Sequence, residues 1–479
     1  MTRRSPPDVM GLETELGIQS SKEVDIIKTS CIETNLAKIA FKAKTDNLRN
    51  ENKDFWLTNG GRIYLDQYMW EICTPEVRTL KDFLTWQRAI ERIIVSSAET
   101  NPNLTIYKNN LDITYPDPRF EENTWGSHMN YTTCIPLSRR GNLILPAVLE
   151  KLLSGSGNLR TSGEFNISQR AKKIRGIHQD LDPQIHPEAT PTETKVSLLD
   201  YKNEHFRENE NESLFHHTSN DSNMLDSAEW LKAGFMRNMI SLAENGCLPH
   251  IDYRSTEALK DLVHITTIPQ RKNNPHEICS TWYLPSMPIE DRSALALLRR
   301  YNDRARSVLS GMDSEIDVTI ALTEEVIAGL ERFGEEPALL YGVLDWVTKR
   351  YLLTEKMKNE CLLPDHDEVQ SVNLAYHSLN RGDLFSDLRE CGGFRTLTSE
   401  EEIRNAIMNP PTNTRANTRG KIIEQALLGR GSNLDSVSWE RIILSSNYNS
   451  EAHIKIPDAR NNYSEKLPEW LSQIRCLKT

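Results

Sequence analysis

Residues 10–18 read MGLETELGI, and residues 62–67 read RIYLDQ. In the first stretch Leu12, Thr14 and Leu16 alternate with Glu13 and Glu15. Side chains of a strand point alternately to its two faces, so the spacing predicts a strand with its leucines toward a core and two carboxylates side by side opposite them. In the second stretch Arg62, Tyr64 and Asp66 share one face, and Ile63 and Leu65 take the other. Asn59-Gly60-Gly61 ahead of it is a turn signal, and Glu71 and Glu76 follow closely. A face carrying several carboxylates, an Arg and a Tyr is unfavourable unless a cation compensates it. Oxygen-rich sets of this kind suit Mg2+, which accepts carboxylates, waters and phosphate oxygens together. Spacing alone fits a solvated polar face of an antiparallel sheet as well, and by itself favours that reading.

Outward from these strands, the pattern Ile26, Ile27, Cys31, Ile32, Leu36, Ile39 predicts a helix from about Asp25 to Lys42. A second amphipathic helix is expected from Leu80 to about Ser97. LTIYKNN and HMNYTTCIPL, separated by the proline-rich TYPDPRFEEN, read as further strands. The expected fold is α+β, an antiparallel or mixed sheet packed by helices. Residues 172–212 are polar, with several prolines and little periodicity, and read as a long loop or insertion. Helical patterns dominate from Leu225 to about Leu352. Asn409-Pro410-Pro411 marks a boundary, which divides the chain into a large domain, 1–408, and a small C-terminal domain, 409–479.

The chain has 479 residues, with 57 Lys plus Arg against 68 Asp plus Glu, a net charge of −11. Phosphate attraction needs a basic surface, so the net charge argues against a general nucleic-acid or anionic-membrane binder. No apolar run is long enough to span a bilayer. MTRRSPPDVM at the start has no apolar region behind it and does not read as a secretory signal. Eight scattered cysteines without a C-x-x-C pair look like reduced thiols of a cytoplasmic protein. Other candidates are weaker. Ser154-Gly155-Ser156-Gly157 fits a phosphate cradle but more readily a plain turn. His216 and His217 are adjacent and would point apart on a strand. His128 is more often a hydrogen-bonding histidine than a ligand, and Trp439, expected on a strand, is by default a core aromatic.

In collinear order, MGLETELGI, LTNGGRIYLD, EICTPE, YKNNLD and WGSHMNY are similar to motifs of the Pup ligase and depupylase family of carboxylate–amine ligases, related to glutamine synthetase. The resemblance continues at SGSGN, FNISQRA, NDSNM, LDWVTKR, LAYHSLNRG and NPPTNTRANTRG, and ends at VSWERIIL. It implies a large glutamine-synthetase-like domain and a small C-terminal domain that contributes to an ATP site. By position, it implies Mg2+ at Glu13, Tyr64 and Glu71. Arg62 and Thr74 would contact the nucleotide near its phosphates, Trp439 would pack on ATP, and Asp66 would be the catalytic aspartate. The implied partners are Pup, a small disordered ubiquitin-like protein, and lysine-bearing target proteins. The implied chemistry is phosphorylation of the C-terminal glutamate side chain of Pup, then attack by a lysine amine that Asp66 deprotonates.

The chain also departs from the family pattern. Met69-Trp70 stand where His-Pro precedes the second metal glutamate, and Met129 replaces a glutamate in Gly-Ser-His-Glu-Asn-Tyr. An Arg-Asp-Glu-Pro-His loop has become Lys202-Asn203-Glu204-His205, and Arg-Arg-Leu-His has become Ser213-Leu214-Phe215-His216. Thr74, and the short span between Gly17 and Asn59, match ligases. The spacing from Asp66 to Glu71 and the Val-Ser before Trp439 look more like depupylases. The balance favours a ligase. The alternatives are a depupylase or deamidase in which Asp66 activates water or attacks directly, a small-molecule amide ligase, and a non-enzymatic scaffold.

Overall fold

The alternation in residues 10–18 belongs to a longer strand, β1 (Met10–Ser20), whose Leu12 and Leu16 are buried. The computed structural model describes residues 7–20, 30–42, 53–66, 69–112, 124–178, 197–199, 212–272, 274–430, 433–445 and 451–476. These belong to two compact units. One comprises Asp8–Ile106, Glu204–Ser213 and Thr398–Thr479, and the other Met1–Pro7, Tyr107–Asn203 and Leu214–Leu397.

In the first unit, α1 (Ser30–Ile39) leads into an edge strand, β2 (Ala40–Lys42), followed by β3 (Asp54–Leu57), β4 (Arg62–Asp66) and β5 (Met69–Cys73). Their order is β1-β5-β4-β3-β2, with every pair antiparallel. The expected first helix therefore stops at Ile39, because Ala40, Phe41 and Lys42 pair with Leu57, Trp56 and Phe55. Residues 25–29 of that expectation lie outside the described residues. The β3–β4 hairpin closes through Gly60, whose φ of +82° is a region that glycine enters without a Cβ penalty. Phe55, Ile63, Trp70 and Ile72 are buried with Leu12 and Leu16. Helix α2 (Leu80–Ala98), started by the Thr79 side chain accepting from Asp82 N at 3.0 Å, buries Phe83, Leu84, Ile90 and Ile94.

The C-terminal part of this unit begins with a helix at Glu400–Met408, started by a capping box of Ser399 and Glu402. Helix Ala416–Gln425 follows, then a three-stranded antiparallel sheet of Leu434–Val437, Arg441–Ser445 and Glu451–Lys455. Ile422, Ile423, Val437, Ile442, Leu444 and Ile454 form one cluster with Trp56 of β3.

In the second unit, strand Ser127–Thr133 neighbours Ser213–Asn220, among helices that include Asp226–Glu244, Ala294–Leu309, Ser314–Glu331 and Asp345–Glu360. Within the stretch read as a loop, Gly176–His178 pairs in parallel with Ser197–Leu199. Leu198 and Leu199 are buried, in a strand too short to register as periodicity. The α+β class holds: antiparallel sheet and packing helices are both present.

Candidate active site

The strand register places the predicted polar face in ranks. Glu13 lies opposite Cys73, Cys73 opposite Arg62, and Arg62 opposite Trp56. In the next rank stand Glu15, Glu71, Tyr64 and Asp54. Asp66 follows two residues further along β4, opposite Met69. All of these share one side of the sheet, since each strand contributes alternate residues.

The Tyr64 hydroxyl donates to Oε1 of Glu13 and to Oε2 of Glu71. A phenol has one proton, so two carboxylates compete for it. Burial, and then the neighbouring charges of Glu13 and Glu15, push the Glu71 carboxyl up to about 10. Burial and the Glu13 carboxylate likewise hold the Tyr64 phenol well above its ordinary range. The buried Cys73 thiol lies 3.8 Å from Glu13 Oε1 and is also pushed up, by burial first and Glu13 second. By itself the face retains a proton where its oxygens would otherwise repel. A hard divalent cation among Glu13, Tyr64 and Glu71 would replace that proton, so the donor set fits one.

Arg62 stands beside this group, and its guanidinium is clamped by Asp54. Nε donates to Oδ1 at 2.8 Å and Nη2 to Oδ2 at 3.0 Å. Burial alone would lower the Arg62 pKa, but the hydrogen bonds and charge of Asp54 raise it. The guanidinium lies 4.1 Å over the Tyr64 ring and 5.2 Å over Trp56. Thr74, just past β5, is buried, and its hydroxyl accepts from Leu12 N at 2.9 Å.

Trp439 is not on a strand. It sits in the turn between Leu434–Val437 and Arg441–Ser445, where Ser438 N donates to Arg441 O at 2.8 Å. There it is half-buried, edge-on to Trp56 with ring centroids 4.9 Å apart. In that turn the indole is only partly buried, and the Arg419 guanidinium lies 4.7 Å over its ring.

Behind the turn, Arg419 donates to Trp439 O at 3.1 Å and to Gly60 O at 2.8 Å. Arg419 and Arg415 both bind Glu76, Arg415 Nε at 2.7 Å from Oε1. Burial would raise the Glu76 pKa, but the two guanidiniums outweigh it and hold the carboxyl at about 2. Asp54, Arg415 and Arg419 were not singled out from sequence. For Asp54 a signal existed: it is a charged residue inside the apolar run DFWL, and counting back through the Asn59-Gly60 turn sets it opposite Tyr64.

The remaining motifs meet in the interior of the second unit. Asp221 accepts from Ser156 N, Ser168 Oγ and Gln169 N, each at 2.9 Å. Asn223 and Tyr376 donate to Asp345 at 3.0 and 2.8 Å. Lys349 donates to Gly157 O at 2.8 Å and meets His377 Nε2 at 2.9 Å. Gly155, Ser156 and Gly157 are therefore a buried turn engaged with protein groups. His216 meets Asn130 Oδ1 at 2.6 Å and lies beside His128, ring centroids 5.4 Å apart. His217 is fully buried against Ser219, and burial lowers its pKa strongly.

The described face is polar and charged, on an antiparallel sheet, with a half-buried tryptophan in the same unit. The family is specific: the Pup-ligase protein model matches residues 8–443, and the chain belongs to that family. The Pup deamidase/depupylase of Mycolicibacterium smegmatis is 27% identical over 419 residues, 84% of this chain and 77% of its own length. The Pup–protein ligase of Acidimicrobium ferrooxidans is 25% identical over 490 residues, 97% of this chain and 98% of its own. Two solved structures of the Pup ligase PafA share the fold. The complex with Pup has a TM-score of 0.79 at 20% identity, covering 98% of this chain and 91% of that one. The complex with ADP has a TM-score of 0.71 at 19% identity, covering 88% and 90%.

Proposed function

We propose that this protein is an ATP-dependent ligase that joins the C-terminal glutamate side chain of Pup to lysines of target proteins, marking them for proteasomal degradation. The observation that carries the reading is the shared face of Glu13, Arg62, Tyr64, Asp66 and Glu71. Glu13, Tyr64 and Glu71 would hold Mg2+, which when bound neutralises charge on the phosphate oxygens. Arg62 supplies a fixed positive charge beside the phosphates, and Thr74 lies at the same end of β5. Residues 409–479 contribute Trp439, whose partly exposed ring would form an apolar wall for adenine.

Asp66 does the acid–base work. The γ-phosphoryl group moves to the Pup glutamate, giving an acyl phosphate and ADP. A lysine ε-amine is protonated at neutral pH and not nucleophilic. Asp66 takes its proton, the amine attacks the acyl carbon, and phosphate leaves as the isopeptide bond forms. The ligase reading is preferred to the depupylase alternative because the ligase relative matches this chain over 98% of its own length and the depupylase relative over 77%. No helix among the described residues is long and apolar enough to cross a membrane. Cys31, Cys73, Cys134, Cys247, Cys279, Cys361 and Cys391 are free thiols, which supports a cytoplasmic location.

Incubation with ATP, Mg2+, Pup ending in glutamate and a lysine-bearing protein should give ADP and a Pup–lysine isopeptide, read by mass spectrometry. Cleavage of a preformed conjugate without any net ligation would instead select the depupylase.

A further inference from the structure

We infer that Asp54 is the positioning residue for Arg62. The inference rests on the reading of Arg62 as a nucleotide contact, and extends the site to a residue on a third strand.

The two side chains form a fork-to-fork pair: Nε and Nη2 of Arg62 meet Oδ1 and Oδ2 of Asp54 at 2.8 and 3.0 Å. Two parallel bonds fix the guanidinium plane as well as its place. That plane is also held over the rings of Tyr64 and Trp56, at 4.1 and 5.2 Å. The Asp54 side chain is 9% exposed and that of Arg62 24%. Asp54 therefore takes the inner edge of the guanidinium. Among the described residues Nη1 makes no hydrogen bond, so its two N–H groups, with the second on Nη2, are left over for phosphate oxygens.

Charge argues for the same role. Paired with Asp54, Arg62 has no net charge to offer at long range, so the carboxylate weakens general attraction for a polyphosphate. What it adds is orientation. An unsupported Arg62 would lose its rotamer entropy on binding nucleotide, and a clamped one has already lost it. Asp54 makes no contact with the reacting atoms on this account, and acts only through Arg62.

The test is a double-mutant cycle on the full chain, with Mg·ATP as the probe, measuring nucleotide affinity and turnover. Asp54→Ala should raise the apparent ATP Kd and KM about tenfold and change kcat by less than about threefold. Asp54→Asn, which keeps one acceptor, should fall between. In an Arg62→Ala background neither Asp54 substitution should weaken ATP affinity further, and any change should be a gain from relieved repulsion. An equal loss from Asp54→Ala with and without Arg62 would overturn the positioning role, since a merely structural carboxylate would act in either background. Normal ATP affinity in Asp54→Ala, with Arg62→Ala impaired, would also overturn it and leave the nucleotide reading standing. If Arg62→Ala itself binds Mg·ATP normally, the nucleotide reading of Arg62 fails and the inference with it. Should Asp54→Ala not fold, Asp54→Asn in both backgrounds reads the same coupling.

Discussion

Arg419 lies with its guanidinium 4.7 Å over the ring of Trp439 and donates to the Trp439 carbonyl at 3.1 Å. The tryptophan proposed to pack on adenine is thus held from behind by a cation that is itself buried. Trp439→Ala removes the ring and keeps the backbone bond to Arg419. It should weaken ATP binding about tenfold and cost about 1 kcal/mol of stability from the lost contact with Trp56. Isothermal titration with Mg·ATP, alongside a thermal melt, checks both. Unchanged ATP affinity with lowered stability would make Trp439 a core residue only.

Glu76 leads to a pH prediction. Its carboxyl is held at about 2, below the ordinary 4.5, by Arg419 and Arg415 against the opposing effect of burial. A depressed folded-state pKa stabilises the fold at pH values above the unfolded pKa. That contribution is lost as pH falls from about 4.5 toward about 2. Glu76→Gln leaves two buried guanidiniums facing a neutral group, so it should cost about 3–5 kcal/mol at pH 7. Acid titration of stability should be shallower in this variant than in the parent between those two pH values. A parallel acid profile would show that Glu76 gains nothing from the pair.

The oxygen cluster predicts a separation of folding from metal binding. Glu71 is pushed up to about 10 in the metal-free protein, where a neutral amide resembles what stands there. Glu71→Gln should therefore fold with near-parental stability, yet lose Mg2+-dependent ATP binding. Glu13→Ala should abolish turnover for the same reason. Thermal melts with and without Mg·ATP measure this: the parent should gain stability on adding the nucleotide and both variants should not. A parental shift in either variant would remove that residue from the metal set.

Asp66 stands at the end of β4, on the face of Arg62 and Tyr64. Asp66→Asn keeps size and strand but cannot accept a proton. It should bind Mg·ATP almost normally while isopeptide formation slows by roughly 10²–10⁴-fold. Single-turnover conjugation, with nucleotide affinity measured on the same preparation, is the check. Conjugation within a few-fold of parent would mean that another group is the base, and loss of ATP binding would move Asp66 among the metal ligands.

The sheet face was legible because its signal is local. Period-two alternation in MGLETELGI and RIYLD is written in consecutive residues, and the register then only had to align two such faces. What escaped was pairing across distance. Nothing near Arg419 or Arg415 in the chain announces Glu76, and their bonds span most of the sequence. Trp439 was expected on a strand because Val437 and Ile442 flank it with apolar residues, but the Ser438–Arg441 hydrogen bonds turn the chain there. The expected helix to Lys42 overran because Phe41 suits a helix face and also an edge strand. Only its pairing with Trp56 decides between them.

The clamp of Arg415 on Glu76 joins residues 339 apart in the chain. At ribosomal speeds of roughly 5–20 residues per second, the strands of the face leave the ribosome on the order of 20–70 s before the arginines that complete it. During that interval Glu76 has no guanidinium to neutralise it, and Trp439 has not been made. A nascent chain, or one broken off before residue 415, carries the oxygens of the proposed metal site without the groups that seat the tryptophan behind them.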